Sequence, residues 1–207
     1  MKSFKLKIIT AIFAFLIGIS AIFVWDGIKL LPNSVQTKII GKSHSDKINL
    51  RISSEKNSVK VGEELSLKVT ITNNDTESVV LVNPGDGSEH GWRTPIIQWS
   101  VLKEGNLEKH PTEPIPNNEP RCGNMNSLES DEILRINSGE TKDLSWTYLP
   151  SFQESGVYKV VFLYANRPYI TWHGESIISH NPIALWQAKH STEINLVSNE
   201  LIFTVSE

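Results

Sequence analysis

The sequence predicts an all-β fold, an antiparallel β-sandwich with long loops, preceded by an N-terminal transmembrane helix. Three observations lead to this prediction. From Lys47 onward, apolar and polar residues alternate along short segments, as they do in strands that bury one face. Glycine, asparagine, aspartate and serine residues cluster between those segments, which is typical of turns. The first 25 residues are basic and then apolar, a pattern typical of membrane targeting.

The clearest predicted strand is residues 65–72. Its leucine, valine and isoleucine side chains alternate with serine, lysine and threonine, so one face should be buried and the other should contact water. A Gly-Glu-Glu turn precedes the segment and an Asn-Asn-Asp turn follows it. The same reasoning predicts strands at residues 48–52, 78–82, 96–103, 132–137, 142–148, 157–164 and 193–205.

Segment 157–164 differs from the others because both of its faces are apolar. We therefore expect it to be a central strand that is covered on both sides. Residues 182–190 predict a short helix, since they contain no helix breaker after Pro182.

The N-terminal pattern predicts an uncleaved membrane anchor. Lysines at positions 2, 5 and 7 precede an uncharged run of 18 residues, 8–25, which Asp26 ends. As a helix this run would be about 27 Å long, close to the roughly 30 Å thickness of a bilayer core. A cleaved signal peptide is the alternative. Its only candidate site, Gly18-Ile19-Ser20, would leave an exposed apolar N-terminus.

This anchor sets the predicted organisation of the chain. Residues 1–25 form the anchor or signal, 26–46 a tether, and 47–207 one β-sandwich domain. The lysines should stay in the cytoplasm, which places the domain outside it, in a periplasm or at a cell surface.

Charge and cysteine content restrict the classes of partner and the covalent links that we expect for this protein. The chain has 20 basic and 23 acidic residues, and without residues 1–25 these become 17 and 23, a net charge of −6. A mildly acidic domain argues against a nucleic-acid partner and against electrostatic binding to anionic lipid. Cys122 is the only cysteine, so an intramolecular disulfide is impossible. We interpret it as a structural thiol, with an intermolecular bridge or a nucleophile as alternatives.

Two stretches of the chain resemble a known family. Residues 59–73, Val-Lys-Val-Gly-Glu-Glu-Leu-Ser-Leu-Lys-Val-Thr-Ile-Thr-Asn, are similar to the opening of bacterial exported immunoglobulin-like and fibronectin-III-like modules. Residues 137–140, Asn-Ser-Gly-Glu, together with 155–160, Ser-Gly-Val-Tyr-Lys-Val, resemble a later part. The resemblance implies an immunoglobulin-like sandwich in which the Tyr158 hydroxyl holds the preceding corner. It implies no single function, because the family includes adhesion modules, enzyme accessory domains and protease inhibitors.

Three predicted connections, 83–95, 104–131 and 165–192, are longer than ordinary loops and are therefore candidates for function. If every predicted strand reverses direction, 83–95 and 165–192 lie at one end of the sandwich, together with 138–141. Connection 104–131 then lies at the other end.

The predicted binding surface joins the two polar and aromatic loops at the shared end. Its tryptophans could stack on sugar rings or on partner side chains, with Arg93 and Glu89 supplying hydrogen bonds. We therefore predict a non-catalytic binding or structural module for a protein or glycan ligand. Alternatively, the tryptophans form a small core under the loops and the histidines are solvated. The predicted binding residues are Asp86, Glu89, His90, Trp92, Arg93, Trp172, His173 and Trp186.

A metal-dependent hydrolase with a histidine cluster on loops 83–95 and 165–192 is the main alternative function. Zinc takes about four such ligands in a tetrahedron, but the spacing here matches no known zinc motif. We predict no metal, no cofactor and no enzymatic activity. A weaker alternative is a protease inhibitor with a reactive loop in residues 111–120. The candidate metal ligands of the hydrolase alternative are Asp86, Glu89, His90, His173 and His180.

Overall fold

The computed structural model describes residues 45–106, 108–115, 128–144, 149, 151–168 and 181–207. Most of its regular structure is β-strand, so the predicted all-β class is confirmed. Two short 3-10 helices, Ser45–Lys47 and Ser130–Glu132, precede strands. The elements in these ranges are β1 (Ile48–Ser53), β2 (Ser58–Lys60), β3 (Lys68–Asn73), β4 (Val79–Val82), β5 (Ile96–Lys103), β6 (Ile133–Ile136), β7 (Thr141–Asp143), β8 (Gly156–Asn166), α1 (Pro182–Lys189), β9 (Ile194–Val197) and β10 (Leu201–Ser206).

The described strands pair into three sheets. One has the order β1-β3-β7, another has the order β2-β10-β8-β5 with β9 also paired to β8, and β4 pairs with β6. Every pair is antiparallel except β2 with β10, which is parallel. The successive strands β1 and β2 therefore belong to different sheets.

Strands from all three sheets contribute side chains to one core. In β3, buried residues alternate with less buried ones, and Val69 and Ile71 are fully buried. The predicted one-sided burial of residues 65–72 is thus confirmed, although the strand itself begins at Lys68. Core side chains also come from β1, β4, β8 and β10, and include Leu50, Ile52, Leu81, Val160, Phe162, Phe203 and Val205.

Strand β8 is the central strand that the sequence predicts. It pairs with β5 along one edge and with β9 and β10 along the other, and residues 160–165 are all buried. The predicted strand 193–205 is interrupted between β9 and β10. There the backbone N–H of Phe162 donates to Ser198 Oγ at 2.8 Å, so a side chain replaces one ladder contact.

Two stretches of chain form one long antiparallel ribbon. One stretch is β3 followed by β4, and the other is β6 followed by β7, so that β3 pairs with β7 and β4 pairs with β6. Thr72 pairs with Thr141, and Val79 pairs with Ile136. Asn73 bridges the junction, where its side-chain amide donates to the Ile136 carbonyl at 3.0 Å. The chain therefore does not reverse at 74–78 or at 137–140. The prediction of reversals at both places was wrong, and 138–141 lies within the ribbon.

Connection 104–131 was also predicted wrongly. It leaves β5 at one end of the sheet and arrives at the other end, where Ile133 pairs with Val82. We call residues 108–115 the strap, because they fold back along β5. The backbone N–H of Ile115 in the strap donates to Gln98 Oε1 at 2.8 Å.

The corner before β8 contains the contact that the family resemblance implies for Tyr158. Its hydroxyl donates to the Glu154 carbonyl at 2.9 Å, and its ring packs against Phe152 with ring centroids 4.7 Å apart.

Several predictions lie outside the described residues, namely the anchor 8–25, nearly all of the tether, and Cys122. Within the described part of the chain, no helix is long and apolar enough to cross a membrane.

Candidate functional site

Connections 83–95 and 165–192 leave the sheets at the same end, as predicted. Ile96 pairs with Ala165, and the Arg167 backbone N–H donates to Thr94 Oγ1 at 3.0 Å. The false reversal at 137–140 and the wrong course predicted for connection 104–131 cancel, which is why the placement is right. We call the described parts of these two connections the rim.

The first rim loop is folded around Ser88, which is fully buried. Its hydroxyl accepts from the Gly85 N–H at 3.1 Å, and its own N–H donates to the Gly85 carbonyl at 2.9 Å. Its carbonyl accepts from the Ile97 N–H at 3.0 Å. These bonds fix the loop to the first residues of β5, so the loop is a defined platform rather than an extended connection.

Arg93 lies beneath this loop and not on its surface. Its side chain is 2% exposed, and Nη2 lies 2.7 Å from Glu132 Oε1. The other carboxylate oxygen of Glu132 accepts from the Glu129 N–H at 2.9 Å. A Cβ at Gly85 would overlap Arg93 Nη1 and would lie 2.6 Å from Glu132 Oε1, so the loop passes the ion pair where only glycine fits. Arg93, which we predicted to bind a ligand, holds the loop to the end of the ribbon.

The more exposed part of the loop carries a histidine–tryptophan stack. The rings of His90 and Trp92 lie 4.4 Å apart at 30°. Gly87 supports the indole from below with φ +91°, and a Cβ there would lie 3.2 Å from Trp92 Cε3. His90 Nε2 is 3.6 Å from Glu89 Oε1. Asp86 is exposed at the tip.

Two polar atoms beside this stack have no protein partner among the described residues. Glu89 Oε2 and His90 Nδ1 are both buried without a hydrogen bond. Buried polar atoms are nearly always paired in native proteins. Such a pair of atoms in a partly exposed loop therefore marks a place where a further donor or acceptor would be stabilising.

Helix α1 forms the second described part of the rim, and it is present as predicted. Asn181 caps it, with its side-chain oxygen accepting from Ile183 N and Ala184 N. The cap satisfies two of the free N–H groups of the first turn. The rings of Trp186 and His190 stack 4.5 Å apart at 23°, and His190 Nδ1 donates to the Trp186 carbonyl at 2.7 Å.

Helix α1 turns two of its three large apolar side chains outward, while Leu185 packs against the core. The fully buried residues are Ala184 and Ala188, whereas Ile183 is 67% exposed and Trp186 is 42% exposed. Ala188 packs with Val82. A helix retained only for packing would turn its large apolar residues inward, so the outward isoleucine and tryptophan need another explanation.

Comparisons with protein-family models, with curated proteins and with solved structures find no match to this chain. The function must therefore be inferred from geometry. Trp172 and His173 lie outside the described residues, as does the candidate metal ligand His180. The described rim therefore contains six of the eight predicted binding residues, namely five on loop 83–95, including the buried Arg93, and Trp186 on α1.

The described residues give the metal alternative no support. Among them, no group of three histidine, cysteine, aspartate or glutamate side chains could hold a metal ion. Glu89 and His90 are the two candidate ligands that lie within 4 Å of each other there.

Sequence reasoning missed the contributions of Ile183 and Glu132. Ile183 precedes Trp186 by three positions, and residues so spaced share a helix face. Their proximity could therefore have been predicted from the sequence. The outward direction of that face could not, because it depends on how α1 docks. Glu132 gives no such signal, and nothing local marks it as the partner of Arg93.

Proposed function

We propose that this protein is a membrane-anchored, extracytoplasmic module with an immunoglobulin-like β-sandwich, and that its rim binds a protein or glycan ligand without catalysis. The observation that carries the binding proposal is the outward orientation of Ile183 and Trp186 on α1. The anchor and the location rest on the sequence of residues 1–25.

The strand pairing supports the immunoglobulin-like part of the proposal. β1 pairs with β3, whereas β2 pairs in parallel with β10 in the other large sheet. The first two strands, β1 and β2, are thus divided between two sheets that share one core. The Tyr158–Glu154 bond also fits the corner found in such sandwiches.

The exposed chemistry of the rim supports ligand binding. Tryptophan is among the residues most enriched at the centres of interfaces, and Trp186 is exposed beside Ile183. An indole offers a flat apolar face for a sugar ring, but an exposed isoleucine adds nothing to such stacking. The combination therefore favours a protein partner.

The binding proposal is tested with the full-length chain in lipid nanodiscs, using pull-downs for protein partners and glycan arrays for sugars. We expect Ile183→Ala and Trp186→Ala each to weaken binding about tenfold or more. Ile202→Ala is the matched control, because Ile202 is 54% exposed on β10, away from the rim. Equal binding by all three variants would remove the rim from the proposal.

A second experiment tests the location. A reporter fused to the C-terminus should be active outside the cytoplasm, and a cytoplasmic reporter signal would contradict the anchor. Elemental analysis of the purified protein tests the metal-hydrolase alternative, for which stoichiometric zinc bound through His90, lost in His90→Ala, would be the supporting result.

A further inference from the structure

We propose that His110 is a pH-responsive clamp, which holds the strap against the outer face of β5 more tightly when its imidazole is protonated than when the imidazole is neutral. This inference concerns a part of the molecule separate from the rim ligand contacts, and it does not depend on the proposed function.

The clamp joins three segments of the chain. His110 in the strap places Nδ1 2.8 Å from Ser100 Oγ on β5. Its Nε2 lies 3.6 Å from Glu200 Oε2, in the short connection between β9 and β10. The His110 side chain is only 13% exposed. A single imidazole thus links the strap to two segments that flank β8.

Protonation changes the strength of this link. A neutral imidazole can keep both contacts, accepting from the Ser100 hydroxyl at Nδ1 while its Nε2–H faces Glu200, but it carries no charge. The cation has two N–H groups and can donate to Ser100 while its Nε2 faces the Glu200 carboxylate. Histidine is the side chain that ordinarily changes charge between pH 5 and 8. Acidification within that range should therefore tighten the clamp.

Other charged groups around His110 are balanced in sign. They line an open groove of about 350 Å³ beside the strap, with Lys103 and Glu104 after β5, Glu108 and Lys109 on the strap's own segment, and Lys159 on β8. Lys159 Nζ lies 3.8 Å from the other oxygen of Glu200. Because the remaining charges nearly cancel, the closest group, Glu200, determines the sign of the effect.

The series serine, histidine and glutamate is also the composition of a hydrolytic triad. Here Ser100 is 8% exposed, and it does not line the groove as His110 and Glu200 do. A substrate in the groove would meet the imidazole and the carboxylate but not the hydroxyl. The arrangement therefore fits a clamp better than a nucleophile.

The far end of the strap reaches the rim. Arg167 Nη2 donates to Glu113 Oε2 at 2.7 Å, and the backbone N–H of Arg167 donates to Thr94 in the first rim loop. When the clamp at His110 loosens, the contacts of Gln98 with Ile115 and of Arg167 with Glu113 still hold the strap.

The test is hydrogen exchange of peptides covering residues 98–115, measured by mass spectrometry on the full-length chain in nanodiscs. Wild type and His110→Gln are compared at the same pH, so that the intrinsic pH dependence of exchange cancels. We expect the strap of wild type to exchange about fivefold more slowly than that of the variant at pH 5.5. At pH 8 the ratio should fall below about twofold.

Glu200→Gln is the second variant, because it keeps the Ser100 contact and removes only the charge that faces Nε2. It should abolish the pH dependence while leaving the fold intact, and it keeps the test decisive if His110→Gln does not fold. Glu108→Gln is the matched control on the same segment and should behave as wild type. A wild-type to variant ratio that is the same at both pH values, or an unchanged pH dependence in Glu200→Gln, would overturn the clamp.

Discussion

The Tyr164 hydroxyl donates to the backbone carbonyl of Val82 across 2.7 Å, and the ring is fully buried. Val82 is the last residue before the first rim loop, and Tyr164 lies near the rim end of β8. This bond therefore ties the start of the loop to the central strand. Burial raises the pKa of Tyr164 well above its ordinary value of 10.0, because a phenolate could not be solvated there.

Tyr164→Phe should destabilise the protein by about 1–2 kcal/mol at pH 7, since the Val82 carbonyl loses its buried donor. The advantage of wild type should shrink above pH 10. The unfolded chain ionises its tyrosines from that point, whereas folded Tyr164 stays neutral, so proton release favours unfolding of wild type alone at this site. Urea unfolding at pH 7 and pH 11 measures the difference. An advantage that stays constant over this range would contradict the burial argument.

Glu132→Gln should destabilise the protein by about 3 kcal/mol, because it leaves the charge of Arg93 in a buried position without its carboxylate. Urea unfolding of the full-length chain in detergent measures the loss. The double variant Arg93→Met with Glu132→Gln should recover part of the stability, since no charge is then buried. Equal stability of wild type and Glu132→Gln would show that the ion pair does not hold the loop.

The Glu140 carboxylate at the ribbon junction should stabilise the folded protein in a way that is lost in acid. The Asn137 backbone N–H donates to its carboxylate at 2.8 Å, and this bond, followed by Lys142, lowers the pKa of Glu140 below the ordinary value of 4.5. The stabilisation should be present at neutral pH and should disappear as the pH falls from about 4.5 through the lowered folded pKa.

Comparison of wild type with Glu140→Gln by thermal unfolding at pH 7 and pH 3 tests this prediction, with exposed Glu55→Gln as the control. The difference in melting temperature between wild type and Glu140→Gln should be found at pH 7 and should largely vanish at pH 3. A difference that grows on acidification would have the wrong sign.

Asn181→Ala should destabilise α1 by about 1 kcal/mol, because the N–H groups of Ile183 and Ala184 lose their acceptor. Asn181→Asp should be close to neutral, since aspartate accepts the same bonds and its charge suits a helix N-terminus. Chemical unfolding measures stability, and exchange of amides 183–185 measures the helix directly. Loss of stability without faster exchange there would place the effect elsewhere.

Much of the strand content was predictable from sequence because it follows from local alternation. Val69 and Ile71 point into the core as their spacing requires, and the continuous apolar run of β8 correctly marks a central strand. The ends of strands were less predictable. Residues 73–75 have the composition of a turn, but the same residues also suit the junction within a ribbon, where Asn73 bonds across instead of reversing the chain.

Contacts between distant segments carried no local signal. Glu132 and Arg93 are paired across β5 and the whole of connection 104–131, and either residue alone has the sequence context of an ordinary surface charge. The strap was unpredictable for a similar reason, because a segment of Pro, Glu and Lys residues gives no periodicity. Of the site, the sequence indicated the shared end and the exposed tryptophan, whereas the burial of Arg93 and the outward face of α1 depend on packing.

The parallel pairing of β2 with β10 has a consequence for biosynthesis. Thr204 lies opposite Ser58, 146 positions earlier, so this sheet edge closes only after all the residues between them have been made. Pairings over such separations form slowly, and until then Val59 and the partners of Phe203 stay uncovered. Because synthesis proceeds from the N-terminus, the growing chain presents an incomplete sheet, whose open edge must be kept from neighbouring chains until residues 201–206 have been made.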